Sequence, residues 1–309
     1  LAHAKASVAP QTYRRYRQIV ENDLIPDLGR IRLADLTPLQ IQGFLARSQG
    51  RKCKNRERDL SPRTVLHYHR LLRRALHQAV RWGLLARNPA DLVDPPRVTP
   101  VEMKALDEDG LVALLGVVRD TKLHLPTLLA AVTGMRRGEL LALRWSDLDL
   151  ETGECRVVRA LQETPEGVGF KAPKTARGRR VVLLPRLAVS ALKAHRTAQN
   201  EERLRKGAEY QDGDLILARA DGSPWPPSQF SSEFARLVKK RGIRCRFHDL
   251  RHTHASQLLK AGVPVKVVSE RLGHSTTSIT MDIYAHTLPN MQAEAVAKID
   301  AALGKAIGE

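Results

Sequence analysis

Cysteine is scarce in this 309-residue chain: Cys53, Cys155 and Cys245 stand far apart and their number is odd. That argues against a secreted disulfide framework, and no C-x-x-C pair is present for zinc or thiol redox work. A reducing, cytoplasmic setting is expected. Long apolar runs are also missing. None reaches the roughly 18 to 20 residues a membrane-spanning helix needs, and the first residues, Leu1-Ala2-His3-Ala4-Lys5, lack the hydrophobic centre of a signal peptide. Internal repeats and low-complexity stretches are absent. Acidic side chains are in short supply: 33 Asp and Glu face 51 Lys and Arg, leaving a formal net charge of +18. Such a balance says little about fold but favours polyanionic partners.

What is present reads as mainly α with a small antiparallel sheet, an α+β chain. The length suits two domains at roughly 150 residues each. Residues 1–94 read as helices only. One helix is expected over Pro10 to Asn22. Thr37-Pro38, a hydroxyl cap followed by Pro at the first helical position, opens a second to Ser48. Ser61-Pro62 repeats the signal for a third, to Trp82. On that helix Val65, Tyr68, Leu72, Ala75, Leu76 and Ala79 form an apolar stripe, and Arg70, Arg73, Arg74, His77 and Arg81 form a basic one. Residues 1–96 hold 18 Lys and Arg against 8 Asp and Glu; the remaining 213 hold 33 against 25. The first third therefore carries more than half of the excess charge. The basic stripe is either a solvated face or a DNA contact, and charge of one sign along a helix favours DNA.

Asp94-Pro95-Pro96 to Thr99-Pro100 is the clearest punctuation, so 95–100 reads as a linker and 101–309 as a second domain. Asp107 is expected to cap a helix, Leu123 to Val132 to be a buried one, and Arg136 to Leu143 to begin another. Cys155 to Leu161 and Arg179 to Leu184 read as strands of the small sheet. A polar helix follows Pro185 as far as Lys206, then a loop at Ser223-Pro224-Trp225-Pro226-Pro227, and the rest is helical.

The chemistry-bearing residues centre on Phe247-His248-Asp249-Leu250-Arg251-His252-Thr253-His254. His248 and Arg251 are three apart, hence on one face of a helix, and an acid–base group beside a fixed cation suits a phosphate under attack. His248 and His252, four apart, also have a zinc-chelating spacing, but no third ligand accompanies them. Thr133-Gly134-Met135-Arg136 lies upstream, where a helix start and the planar fork of Arg136 both favour an anion; a plain surface Arg is the alternative. Glu139 is placed to orient Arg136 or to sit in the first turn. Leu272-Gly273-His274 lies downstream, with Tyr284 ten residues after His274. In isolation His274 would be structural and Tyr284 a core residue beside Ile279 and Ile283.

This ordered set resembles the tyrosine recombinase (phage integrase) family, and the match covers most of the chain. The resemblance implies an N-terminal SAM-like core-binding domain over 1–94 that grips one side of the DNA. It also implies a catalytic domain over 101–309. Tyr284 would be the nucleophile, Arg136, Arg251 and His274 would hold the phosphate, and Lys174 and His248 would move protons. Lys174, in Ala172-Pro173-Lys174-Thr175, matches the family's hairpin Lys, with Lys171 its competitor. The implied activity is site-specific cleavage and rejoining of DNA through a 3′-phosphotyrosine and a four-way junction. No cofactor is implied: neither ATP nor metal. The implied partners are double-stranded DNA with specific recombination sites, a homotetramer on that DNA, docked through a last helix over Asn290 to Leu303, and an accessory DNA-bending protein. Type IB topoisomerase-like relaxation and a non-catalytic DNA-binding relative are the alternatives. Family integrases often carry an arm-site domain ahead of the helical one. A chain opening on Leu1 without it fits a truncated protein or a simpler recombinase.

Overall fold

A computed structural model of the chain describes residues 1–52, 59–99, 105–164, 167–172 and 178–284, with positions 296, 299, 300 and 303 beyond them; at 282–284 it describes the backbone. The chain forms two compact units, Leu1–Val101 and Glu102–Glu309. No helix among the described residues is long and apolar enough to cross a membrane.

The first unit is helical: α1 (Ala2–Ser7), α2 (Pro10–Ile19), α3 (Ile25–Leu28), α4 (Pro38–Gln49) and α5 (Pro62–Arg81). The expected break near Asn22 is instead a π-helical turn, Val20–Leu24, that runs straight on into α3. Pro26 has no amide hydrogen to give, and a widened turn before it accommodates that loss. The two capping signals act as read. Thr37 accepts from the Gln40 amide in a full capping box, and Ser61 accepts from Thr64. Ile41, Phe44, Leu45, Val65, Tyr68, Leu72 and Leu76 make the core, whereas Ala75, expected to be buried, is exposed. Leu71 and His69 fill that helix's buried face instead.

The second unit holds α6 (Glu108–Val118), α7 (His124–Thr133), α8 (Arg137–Leu140), β1 (Glu154–Val157), β2 (Ala160–Thr164), β3 (Gly167–Lys171), β4 (Arg180–Leu183), α9 (Arg186–Lys206), α10 (Pro227–Lys240), α11 (Asp249–Lys260), α12 (Val265–Leu272) and α13 (Thr277–Tyr284). Asp107 caps α6 by accepting from the Gly110 amide at 2.8 Å. The apolar α7 is buried along nearly its whole length and packs against α11. Phe247, just before α11, meets Phe230 and Phe234 of α10 edge to face at 4.7 and 5.2 Å. These contacts fix the start of α11, where His248 sits.

Two expectations fail here. The run from Cys155 to Leu161 is not one strand, because Arg159 leaves the ladder to pair with Asp147. The β content is two antiparallel pairs, β1 with β4 and β2 with β3, rather than a single sheet. The helix from Arg136 to Leu143 is only one turn. The chain swings away after Leu140 so that the Leu143 carbonyl can accept from Ile216 at 3.0 Å. Gly138 lies so close to β2 that a Cβ there would stand 2.6 Å from the Leu161 oxygen. Positions 94–99 carry no regular structure, and most of the last expected helix, Asn290 to Leu303, lies outside the described residues.

Candidate active site

Two left-handed glycines shape the site. Gly134 (φ +63°) ends α7 and turns the chain into Arg136, and Gly273 (φ +68°) ends α12 and turns it into His274. A helix end leaves its last carbonyls without intrahelical partners, and cations are favoured there. At α12 three consecutive carbonyls are each taken by a different arginine. Arg180 Nε donates to Arg271 O at 2.7 Å, Arg251 Nη2 to Leu272 O at 2.8 Å, and Arg136 Nη2 to Gly273 O at 3.3 Å. Arg251 also donates to the Gly134 carbonyl at 2.7 Å, which joins the two glycine turns through one guanidinium. Arg136, Arg251 and His274 are thereby gathered in one place from positions as far apart as 138 residues in sequence.

Arg136 is the N-cap of α8, so its setting is not the strong helix dipole expected; a single turn has little of one. Its partner is Glu139. Oε1 accepts from Arg136 Nη1 at 2.8 Å, and Oε2 accepts from the Arg136 amide at 3.0 Å and from Arg180 Nη2 at 2.8 Å. Burial alone would raise the Glu139 carboxyl, but Arg180 and Arg136 together hold it below the usual carboxylate range. The Arg136 side chain remains 43% exposed and that of Glu139 only 6%, so the cation faces outward and the anion is tucked behind it.

His248 is exposed at the start of α11, with its ring edge-on to His252 at 5.2 Å. Burial of part of its ring, then Arg251, push its imidazole below the ordinary value, with Asp249 opposing. His274 is buried and its Nδ1 shares a 2.8 Å hydrogen bond with the Thr280 hydroxyl; burial, then Arg251 and Arg136, push it down to about 4. His252 is likewise down to about 4, through burial and His248. His254 is structural. Its Nδ1 donates to Ala131 O at 2.8 Å and its Nε2 accepts from Arg271 at 3.1 Å, with burial and Arg271 holding it near 4. At neutral pH the site is therefore built from neutral imidazoles and charged guanidinia. Among the described residues no group of three or more His, Cys, Asp and Glu is placed to hold a metal.

Lys174 lies outside the described residues, and Lys171 ends β3 opposite Ala160. Tyr284 closes α13 one turn after Thr280, the residue that bonds His274; its side chain is outside the described residues. Tyr68, by contrast, is sunk in the first unit's core with its phenol pushed up to about 12 by burial and Asp23. Sequence reasoning passed over Arg180 as one of several basic residues near Lys174 and did not find Thr280 at all. Only the recurrence of a hydroxyl at i−4 from Tyr284 would have pointed to the latter.

The basic stripe of α5 is exposed throughout, but much of it is already engaged. Arg73 and His77 meet Asp91 at 2.6 and 3.2 Å, and Arg74 donates to the Tyr16 hydroxyl at 3.0 Å. Arg70 belongs to a different cluster. Burial lowers His67 first, and then Arg70, Arg15 and Arg63 lower it further, so each of these cations acts on His67. Arg63 and His67 lie on α5 at three-and-four spacing with Arg70 but were not singled out in the sequence, and Arg15 joins them from α2.

Comparison with known proteins identifies the family and the fold. The phage integrase family profile matches residues 104–291, and the profile of its N-terminal SAM-like domain matches residues 1–47. A tyrosine recombinase XerC-like protein of Caldanaerobacter subterraneus subsp. tengcongensis is 30% identical, over 91% of this chain and 74% of that protein. The ICEBs1 integrase of Bacillus subtilis is 26% identical over 97% of this chain and 80% of its own. In fold, the chain is similar to the Tn1549 transposon integrase solved with a circular intermediate DNA, at a TM-score of 0.78 and 21% identity over 96% of each chain. It is also similar to a lambda integrase dimer on a COC′ core site, at 0.65 and 20% identity over 89% of each. With its profile match spanning most of the second unit and its arginines and histidine gathered at the end of α12, this chain belongs to the phage integrase family of tyrosine recombinases.

Proposed function

We propose that the chain is a site-specific DNA recombinase that cleaves and rejoins duplex DNA through a phosphotyrosine. The carrying observation is the end of α12, where the carbonyls of Leu272 and Gly273 hold the guanidinia of Arg251 and Arg136 next to His274, a grouping suited to stabilising phosphoryl charge. The Tyr284 phenol oxygen attacks phosphorus and gives its proton to neutral His248. The bond from phosphorus to the 5′ oxygen breaks, Lys174 protonates that oxygen, and a 3′-phosphotyrosine and a free 5′-hydroxyl result. The reverse step, with a 5′-hydroxyl from a second duplex, rejoins the strands. Arg136 and Arg251 neutralise the equatorial oxygens. When Thr280 donates to His274 Nδ1, the Nε2–H of His274 is left to donate to a phosphate oxygen.

Residues 1–94 act as the core-type DNA-binding domain, 95–100 as a linker and 101–309 as the catalytic domain. DNA carrying paired recombination sites is the substrate and a homotetramer the working assembly, with a bending protein as accessory. A lambda integrase tetramer on a Holliday junction has the same fold, at a TM-score of 0.63 and 20% identity. The phosphates of one DNA arm are met by Arg70 with Arg15, Arg63 and His67, and by Arg74 and Arg81, while Arg73 and His77 serve mainly to hold Asp91.

The test is covalent trapping. A random-sequence duplex pool is enriched for binding, and the recovered duplex is nicked beside the cleavage position so that the released strand diffuses away. A protein–DNA adduct stable to denaturant is expected from the wild-type chain and none from Tyr284→Phe, with duplex affinity kept. An adduct from Tyr284→Phe, or none from the wild type, refutes the reading. Junction formation on two-site DNA separates recombination from type IB relaxation.

A further inference from the structure

Arg180 opens β4, six residues after Lys174, amid a run of cations that reads as an exposed basic hairpin. The side chain is 7% exposed. Each of its three guanidinium nitrogens donates to the protein: Nε to Arg271 O at 2.7 Å, Nη1 to Gly178 O at 3.3 Å, and Nη2 to Glu139 Oε2 at 2.8 Å. The packing around it is close enough that a Cβ on Gly273 would stand 2.9 Å from its Nη1. Glu139 is thus shared between two arginines. One is buried and fixed, and the other, Arg136, is half exposed and faces the phosphate position.

A buried carboxylate needs its charge matched. With Arg180 present, part of that demand is met from behind, and Arg136 keeps donor capacity for a substrate. Without it, Arg136 is the one cation left bonded to Glu139 among the described contacts. It is then drawn fully onto the carboxylate.

We propose that Arg180 is a positioning residue for strand cleavage. It acts through Glu139 to set the Arg136 fork and through the Arg271 carbonyl to hold the end of α12, and it touches no phosphate itself. The inference rests on the recombinase reading above. It assigns a role in transition-state binding to a side chain that is only 7% exposed and whose three guanidinium nitrogens are already bonded to the protein.

The experiment uses the full chain and the selected nicked duplex, and compares Arg180→Met, Arg180→Lys, Glu139→Gln and the Arg180→Met/Glu139→Gln double variant. Single-turnover cleavage and duplex affinity are measured for each. Arg180→Met is expected to lose about 100-fold in cleavage rate with affinity within about threefold of wild type, as for loss of an interaction made in the transition state. Arg180→Lys, which keeps the charge and one bond to Glu139, recovers about tenfold of that loss. The double variant is expected to cleave no more slowly than Glu139→Gln alone, because the two side chains act as one unit. Three results overturn the proposal: an unchanged rate in Arg180→Met, a fall in affinity matching the fall in rate, or losses that multiply in the double variant. If Arg180→Met fails to fold, Arg180→Lys decides alone: a rate loss of about tenfold at unchanged affinity supports the role and an unchanged rate removes it. Absence of an adduct from the wild-type chain overturns the recombinase reading and this inference with it, whereas a wild-type adduct insensitive to Arg180 overturns only the inference.

Discussion

Acid should dismantle the second unit well above the pH at which carboxylates titrate. His252, His254 and His274 are each held near 4 by burial and neighbouring cations, against about 6.5 when unfolded. The folded chain therefore carries these imidazoles neutral. As pH falls below 6.5 the unfolded chain takes up their protons first, and stability that is full above that value is lost progressively towards pH 4. Integrating the linkage relation from pH 7 to pH 5 gives about 2 kcal/mol for each histidine. The three together lose about 5 to 6 kcal/mol, comparable with the whole stability of a typical domain, roughly 5 to 15 kcal/mol. Urea unfolding of a Trp82→Phe chain at pH 7, 6 and 5, followed by the fluorescence of the second unit's Trp145 and Trp225, measures this directly. His254→Gln, neutral at every pH, should flatten the dependence by about a third. A change below about 2 kcal/mol between pH 7 and 5, or imidazole carbon signals of these three residues titrating above pH 6, would refute the argument.

Two further outcomes are expected. Gly134→Ala places a Cβ 2.6 Å from Leu272 Cδ2 and 2.7 Å from the His254 ring at a left-handed φ of +63°. The backbone and the overpacking together cost about 2 to 4 kcal/mol, which should lower the second unit's melting temperature by about 5 to 15 °C; an unchanged melt would refute this. In the first unit, Arg63→Ala and Arg70→Ala should each reduce the slope of log affinity against log salt by about 1, while Arg73→Ala, whose charge is spent on Asp91, should reduce it by less than half as much. Equal reductions for all three would remove the distinction.

The helix starts were readable because capping is local: Thr37, Ser61 and Asp107 each accept from an amide three residues ahead, and sequence spacing contains that whole interaction. The order of site residues was readable for a different reason, since their types and succession match a family whose profile covers 104–291. What escaped depends on partners remote in sequence. Arg136 opens a single turn because Leu143 must meet Ile216. Arg180 looks like its neighbours Arg177 and Arg179 in the sequence, and only the closing of β4 on β1 and the approach of α12 bury it. The stripe on α5 was found by period alone, which does not reveal that Asp91, from a 3-10 turn beyond the helix, neutralises part of it. The β2–β3 hairpin was missed because Gly167-Val168-Gly169 has neither alternation nor a strong strand preference.

The end of α12 has a mechanical consequence. Because residues 271, 272 and 273 each grip a separate guanidinium by a bond of 2.7 to 3.3 Å, sliding this one segment by about an ångström slackens all three at once. The three guanidinia share one support, so a shift of this short helix would perturb them together rather than one at a time.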